Sequence, residues 1–257
     1  MNLFAQRLKS AYKAAAVHFL LSLLVGIFAA VLVFGLWYPH PYREFSGGRE
    51  LFWLVMSVDV ICGPLLTLVL YNPIKPRSEL LRDLGLIFFI QTTALGYGVH
   101  TVWQVRPLFL VQEVDRFKVV TRSELDANAL SALPKSLQPS IFDGPMVVAI
   151  RRPHSQAERE KVMFESLEGG RDYAERPEFY LPFEGKNALR SLKRAKPLSL
   201  FLEQHADQSS AAKKVANEAK KEVARLFYLP VMARQDWVAV LDDKGQIQGF
   251  LKGDGFK

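Results

Sequence analysis

Asp59 is the residue whose type and position most need a chemical account. It lies near the middle of LFWLVMSVDVICGPLLTLVLY (residues 51–71), an otherwise uncharged run long enough to cross a bilayer, and Gly63-Pro64 follows four residues later. A carboxylate at mid-bilayer costs about 2.5–3.5 kcal/mol on insertion scales, so it faces a bundle interior or a partner. Pro64 removes a backbone donor and frees a carbonyl near Asp59, and Gly63 leaves a flat surface for a second helix. The polar residues that could answer Asp59 from the other apolar runs are His18, Gln91, Thr92, Thr93 and His100. Two readings stay open. A protonated Asp59 could bond to Gln91 or to a threonine and hold a small bundle together. Alternatively Asp59, Gly63, Pro64, Thr67 and Gln91 form a polar, close-packing docking point for another protein's membrane helix. An intramembrane aspartyl protease would need two carboxylates sharing a proton, and only one lies in the apolar runs.

Elsewhere the reactive residue types do not assemble into a catalytic pattern. There is no Gly-x-Ser-x-Gly, no phosphate-cradling glycine loop and no dinucleotide fingerprint. His18 and His100 fall in apolar runs, His40 in a loop, and His154 and His205 far apart in the polar half, so no pair has metal-ligand spacing. The single cysteine, Cys62, excludes an intramolecular disulfide and a paired-cysteine metal site. The pattern therefore calls for no cofactor, no metal and no catalytic residue. Asp115 with Arg116, and Arg151-Arg152-Pro153, read as paired surface charges at strand ends, which are individually weak.

Two kinds of element must carry these residues. The 257-residue chain is 49% hydrophobic and 23% charged, but that average hides a division. Eight Lys/Arg and five Asp/Glu precede Arg106; 25 and 21 follow from Arg106 onward, so the net +7 divides into +3 and +4. Charge this diffuse argues against nucleic acid, which asks for a concentrated basic patch with stacking aromatics. Three apolar runs fill the front, at about 14–37, 51–71 and 84–103. Each approaches or exceeds the roughly 20 residues that span the hydrocarbon. The first is longer than the roughly 7–15 apolar residues of a secretory signal. It ends in Trp37-Tyr38-Pro39, an interfacial aromatic pair and a helix stop, so it reads as a retained helix.

Basic residues in short flanks set orientation. Arg7, Lys9 and Lys13 precede the first run, and Lys75, Arg77 and Arg82 separate the second from the third. Only Arg43 and Arg49 lie between the first and second. The N-terminus and second loop are thus expected in the cytoplasm, and the polar half outside, in the periplasm of a Gram-negative host. The expected fold is a membrane protein: a three-helix transmembrane bundle over residues 1–105, then a soluble α+β domain over 106–257. About 150 residues suffice for a core without disulfides.

In the polar half, LFLVQEVDRFKVV reads as β structure and TRSELDANALSAL as a helix capped by Thr121 or Ser123. PMVVAIRR is a strand. SQAEREKVMFESLEGG is a helix with Ser155 and Glu158 as a capping box, an apolar face of Val162, Met163 and Leu167, and a Gly169-Gly170 stop. KNALRSLKRA and LSLFLEQHA are helical pieces. SSAAKKVANEAKKEVARLF carries a Val215, Ala219, Val223, Leu226 stripe, and its lysines are solvated or touch anionic lipid headgroups. DWVAVLDDKGQIQGFL reads as a hairpin around Asp243-Lys244-Gly245.

Several stretches together resemble a known family. HFLLSLLV, VFGLWYP, ELFWLVMSVDVICGPLLTLVLYNP, ALGYGVHTVWQVRPLFLVQEVDRFKVV and GPMVVAIRRP are similar to the type IV pilin accessory proteins of the TfpX/TfpZ group. The likeness is densest over residues 51–120 and fades beyond about Lys186. It implies a non-enzymatic, chaperone-like inner-membrane protein that assists the stability or assembly of a cognate type IV major pilin. The partners so implied are the pilin's membrane helix and periplasmic head, and the lipid bilayer. Pilin helices as a class carry a glutamate near their start, which the Asp59, Gly63, Pro64 and Thr67 groove could receive. The alternative of a different class is a membrane-anchored sensor with a ligand-binding periplasmic domain, against which the short N-terminal tail argues.

Overall fold

A near-continuous supply of Leu, Val, Ala and Phe carries α1 (Leu3–Leu32), whose last turn widens into a π-helical turn at Val33–Trp37. A four-residue turn, α2 (Tyr42–Phe45), follows, then α3 (Gly48–Leu70) and α4 (Arg77–Gln104). The computed structural model describes residues 3–256. They form two compact units: residues 3–37 with 47–104, and residues 38–46 with 105–256.

In the first unit α3 packs against both α1 and α4. It runs through Pro64 without a break. Its outward side chains are large and apolar, including Trp53, Leu65 and Val69, as are Leu24 and Phe28 of α1 and Phe88 of α4. Two helices, Ala5–Trp37 and Gly48–Leu70, are long and apolar enough to cross a membrane. Only 17% and 22% of their most apolar windows is buried, where the core helix of a water-soluble protein is mostly buried. Both are compatible with membrane anchoring. The third expected span falls short: Gln91, Thr92, Thr93 and His100 dilute α4, which is a long helix packed on α3 but below the same apolarity.

The second unit is built on a mixed sheet. Its elements are β1 (Pro107–Gln112), β2 (Phe117–Thr121), α5 (Ala127–Ser131), β3 (Met146–Ile150), α6 (Gln156–Leu167), β4 (Tyr180–Pro182), α7 (Lys186–Ser191), β5 (Lys196–Pro197), α8 (Leu198–Gln204), α9 (Ser209–Glu218), β6 (Phe227–Met232), β7 (Trp237–Leu241) and β8 (Ile247–Lys252). The strand order is β4-β3-β1-β2-β6-β7-β8, with β5 also on β6. The β1–β3 and β2–β6 pairs are parallel and the others antiparallel.

Strand alternation assigns the core to two faces. Leu229, Val231, Trp237, Ala239 and Leu241 point one way, into a cluster that includes Tyr42 and Phe45. Tyr228, Val238 and Val240 point the other way, under Leu198 and Phe201 of α8 and Ala212 and Ala216 of α9. Hence the connection between the first two apolar helices is not a bare loop. Phe45 is 1% exposed and stacks edge-on to Trp237 and Phe250 at 5.3 and 5.4 Å. The Arg234 N–H donates to the Phe45 carbonyl at 2.8 Å.

Three local expectations are corrected. The TRSELDANALSAL helix is capped by Asp126, whose carboxylate accepts from Asn128 and Ala129 N–H at 2.9 Å; Thr121 instead caps a 3₁₀ turn at Arg122–Glu124. In α6 Ser155 is the cap, but only Val162 of the expected face is buried, with Met163 and Leu167 51% and 76% exposed. α6 thus buries a single residue of that face, Val162. The lysine-rich helix stops at Glu218, with Lys220 at φ 53°, and its buried face is Ala212 and Ala216.

That early stop frees FYLPVM to become β6, a strand absent from the sequence reading. Pro230 had disguised it, since proline donates nothing to a ladder. β5 pairs with Phe227 and Tyr228 and β2 with Val231 and Met232, so neither ladder reaches Pro230 on that side.

Candidate functional site

The polar residues of the first unit converge along α3. Asp59, Gly63 and Thr67 are spaced by four residues, so they share one face of the helix. Gln91 of α4 donates its amide to the Asp59 carbonyl at 3.0 Å and to Asp59 Oδ1 at 3.2 Å. Gly63 makes this possible, because a Cβ there would overlap the Gln91 amide. One turn on, the buried Thr67 hydroxyl and His18 Nδ1 of α1 share a 2.6 Å hydrogen bond. Thus α3 presents one polar line that α4 answers at Asp59 and α1 answers at Thr67. Pro64 is buried. Of the other residues named from sequence, Thr93 bonds its own helix at Phe89 and His100 lies near Gln104, both exposed.

Asp59 keeps a reserve. It is half-buried, and its second oxygen has no protein partner among the described residues. Gln91 cannot neutralise a carboxylate, so the group asks for a proton or a further donor. The arrangement can therefore tie α3 to α4 and still offer one acceptor.

The second unit has a cleft of about 1340 Å³ at the carboxyl ends of the parallel β1–β3 pair. Its fixed point is Arg151. The guanidinium bonds Glu158 bidentately at 2.7 and 3.1 Å and lies 4.1 Å from the Phe179 ring centre, while Tyr173 OH donates to the Arg151 carbonyl at 2.8 Å. The His154 N–H also donates to Glu158 at 2.5 Å, so Glu158 closes the helix entry through His154, with Ser155 Oγ accepting from its N–H.

The Arg151 bonds, followed by the His154 N–H, hold the Glu158 carboxyl at about 2, below its ordinary 4.5. A depressed carboxyl stabilises the fold above its unfolded value, and that contribution drains away as pH falls from about 4.5 toward 2. Thermal melts of the full chain in detergent should show this loss over that window, and Glu158→Gln should flatten it. An unchanged slope in the variant would contradict the assignment.

Six cations line the cleft against two carboxylates, Glu113 and Glu160. Glu113 is paired with Arg116 at 2.8 Å, and burial raises its carboxyl above the usual range despite that arginine. Arg152, Arg159, Arg190, Lys193 and Arg194 are exposed and have no ion pair among the described residues. From sequence, Arg151-Arg152 reads as paired surface charge and KNALRSLKRA only as a helical piece. Thirty-odd residues apart, they give no local signal that β3 and α7 would bring them to one cleft.

Comparison with known proteins now bears on the whole. The profile described as fimbrial assembly protein FimB matches residues 6–47, which take in most of α1 and all of Tyr38–Ser46. The fimbrial assembly protein of serogroup I from Dichelobacter nodosus is 35% identical over 256 residues, 98% of this chain and 98% of its own. The chain belongs to the fimbrial assembly protein family. The serogroup E1 protein of the same organism is 33% identical over the same shares. A shorter relative in this family, that of serogroups C1 and C2, is 40% identical over 131 residues, 51% of this chain and 98% of its own. No solved structure matches the chain.

Proposed function

We propose that this chain is a non-enzymatic accessory protein for fimbrial assembly, of the TfpX/TfpZ kind, that holds a type IV major pilin in the inner membrane before or during its incorporation. The observation that carries this is the match to fimbrial assembly proteins over 98% of both chains. Two further features support the finer reading. The first and second apolar helices are joined by Tyr38–Ser46, which folds into the second unit. A membrane hairpin of α1 and α3 would put that connection and the C-terminal domain on one side, and the basic flanks make it the periplasmic side. α4 then serves as the third crossing, with Gln91 turned toward α3 rather than lipid.

The pilin's membrane helix is the partner proposed for the polar line of Asp59, Gly63, Pro64, Thr67 and Gln91. Asp59 supplies the open acceptor, while Gly63, Pro64 and Thr67, covered from α4 and α1, hold it in place. Asp59→Leu should lower co-purification of pilin by about tenfold, the value of one interhelical polar contact of ~1–2 kcal/mol. The variant should still insert and fold, because Gln91 retains the Asp59 backbone carbonyl. Unchanged capture of pilin by the leucine variant would end the assignment of this site.

A further inference from the structure

We infer that the cleft at the ends of β1 and β3 binds an acidic peptide segment in extended form. Five unpaired cations from two separate segments, Arg152 and Arg159 after β3 and Arg190, Lys193 and Arg194 in and after α7, surround one concavity. Like charges held together repel one another, and with Glu113 paired to Arg116, Glu160 alone cannot offset five of them, so the cluster favours a bound anion. Ile150, Val162 and the exposed Met163 and Val114 give it apolar ground. Arg151, held by Glu158 and Phe179, fixes the wall between the two sets.

Shape decides between anionic partners. A membrane surface would meet a convex or flat basic face, whereas these cations rim a hollow of about 1340 Å³ that a lipid bilayer cannot enter. A chain with carboxylates on one side and apolar residues on the other fills it, its acidic groups reaching the guanidinium forks. Such a segment on the fimbrial subunit's outer domain would be the natural source; for that source alone the inference rests on the function proposed above.

The test uses the full chain in detergent micelles and a fluorescein-labelled peptide of alternating glutamate and leucine, read by fluorescence anisotropy. Binding should weaken steeply with added salt and be lost when glutamate is replaced by glutamine. The combined Arg152→Glu, Arg190→Glu and Arg194→Glu variant should bind at least about tenfold more weakly with an unchanged melting temperature, since all three side chains are exposed. A variant reversing Lys213 and Lys220, outside the cleft, should bind as the parent does. Equal binding by the triple variant overturns the inference. So does displacement of the peptide by phosphatidylglycerol vesicles where phosphatidylcholine vesicles have no effect, which would assign the cations to lipid headgroups. Because the probe is synthetic, either failure leaves the fimbrial role to its own test.

Discussion

Replacing Phe45 with alanine is expected to destabilise the second unit by about 3–5 kcal/mol, the usual cost of emptying a large aromatic site. Phe45 is 1% exposed, and its ring meets those of Tyr42, Trp237 and Phe250 at 5.3, 5.3 and 5.4 Å. No neighbour can collapse into the space, because Trp237, Ala239 and Leu241 belong to β7, a strand paired on both sides. The loss should appear as a lower melting temperature by tryptophan fluorescence, with Trp237 as the adjacent reporter. Arg43→Ala, in the same segment but half-exposed and without an ion pair among the described residues, should stay within about 0.5 kcal/mol of the parent. An equal effect of both, or of neither, would mean that Tyr38–Ser46 is only a tether.

Gly98→Leu should separate α3 from α4. Gly98 is buried, and a Cβ there would overlap Val55, a residue branched next to its backbone and unable to swing aside. Overpacking of this kind costs typically 1–3 kcal/mol, and a leucine adds more bulk than a methyl. Displacement of α4 also withdraws Gln91 from Asp59, so both the helix pair and the polar line are lost together. Heating the detergent-solubilised chain and following the surviving monodisperse fraction should show a clearly lower midpoint for Gly98→Leu. Gly96→Leu is the control: nothing lies near a Cβ at that position, and the midpoint should not move.

Much of this was legible from residues. The long apolar helices follow from uncharged length, and Gln91 was among the few groups that could reach Asp59, because buried polar atoms in apolar surroundings must find each other. The strand at 145–152, the Ser155 cap and the final hairpin follow from local patterns that need no distant partner. What escaped was decided at long range. Phe45 sits in a stretch with the polarity of a loop, and only Trp237 and Phe250, some 200 residues later, make it core. β6 was hidden because Pro230 is tolerated only where two neighbouring ladders leave a gap, a fact of sheet order rather than of sequence. Met163 and Leu167 have helical spacing yet stay exposed, because spacing alone does not say which turns of a helix meet the sheet.

The proposed function requires a membrane hairpin whose connection and C-terminal domain share the outer face. Single-cysteine labelling in whole cells tests it most directly, with Cys62 replaced by alanine to remove the one native thiol. Lys244→Cys lies in the exposed turn of the second unit, and Arg77→Cys in the exposed start of α4. A membrane-impermeant maleimide should modify Lys244→Cys in intact cells and reach Arg77→Cys only after the inner membrane is opened. Protection of Lys244→Cys together with labelling of Arg77→Cys would invert the protein and contradict the role drawn from it.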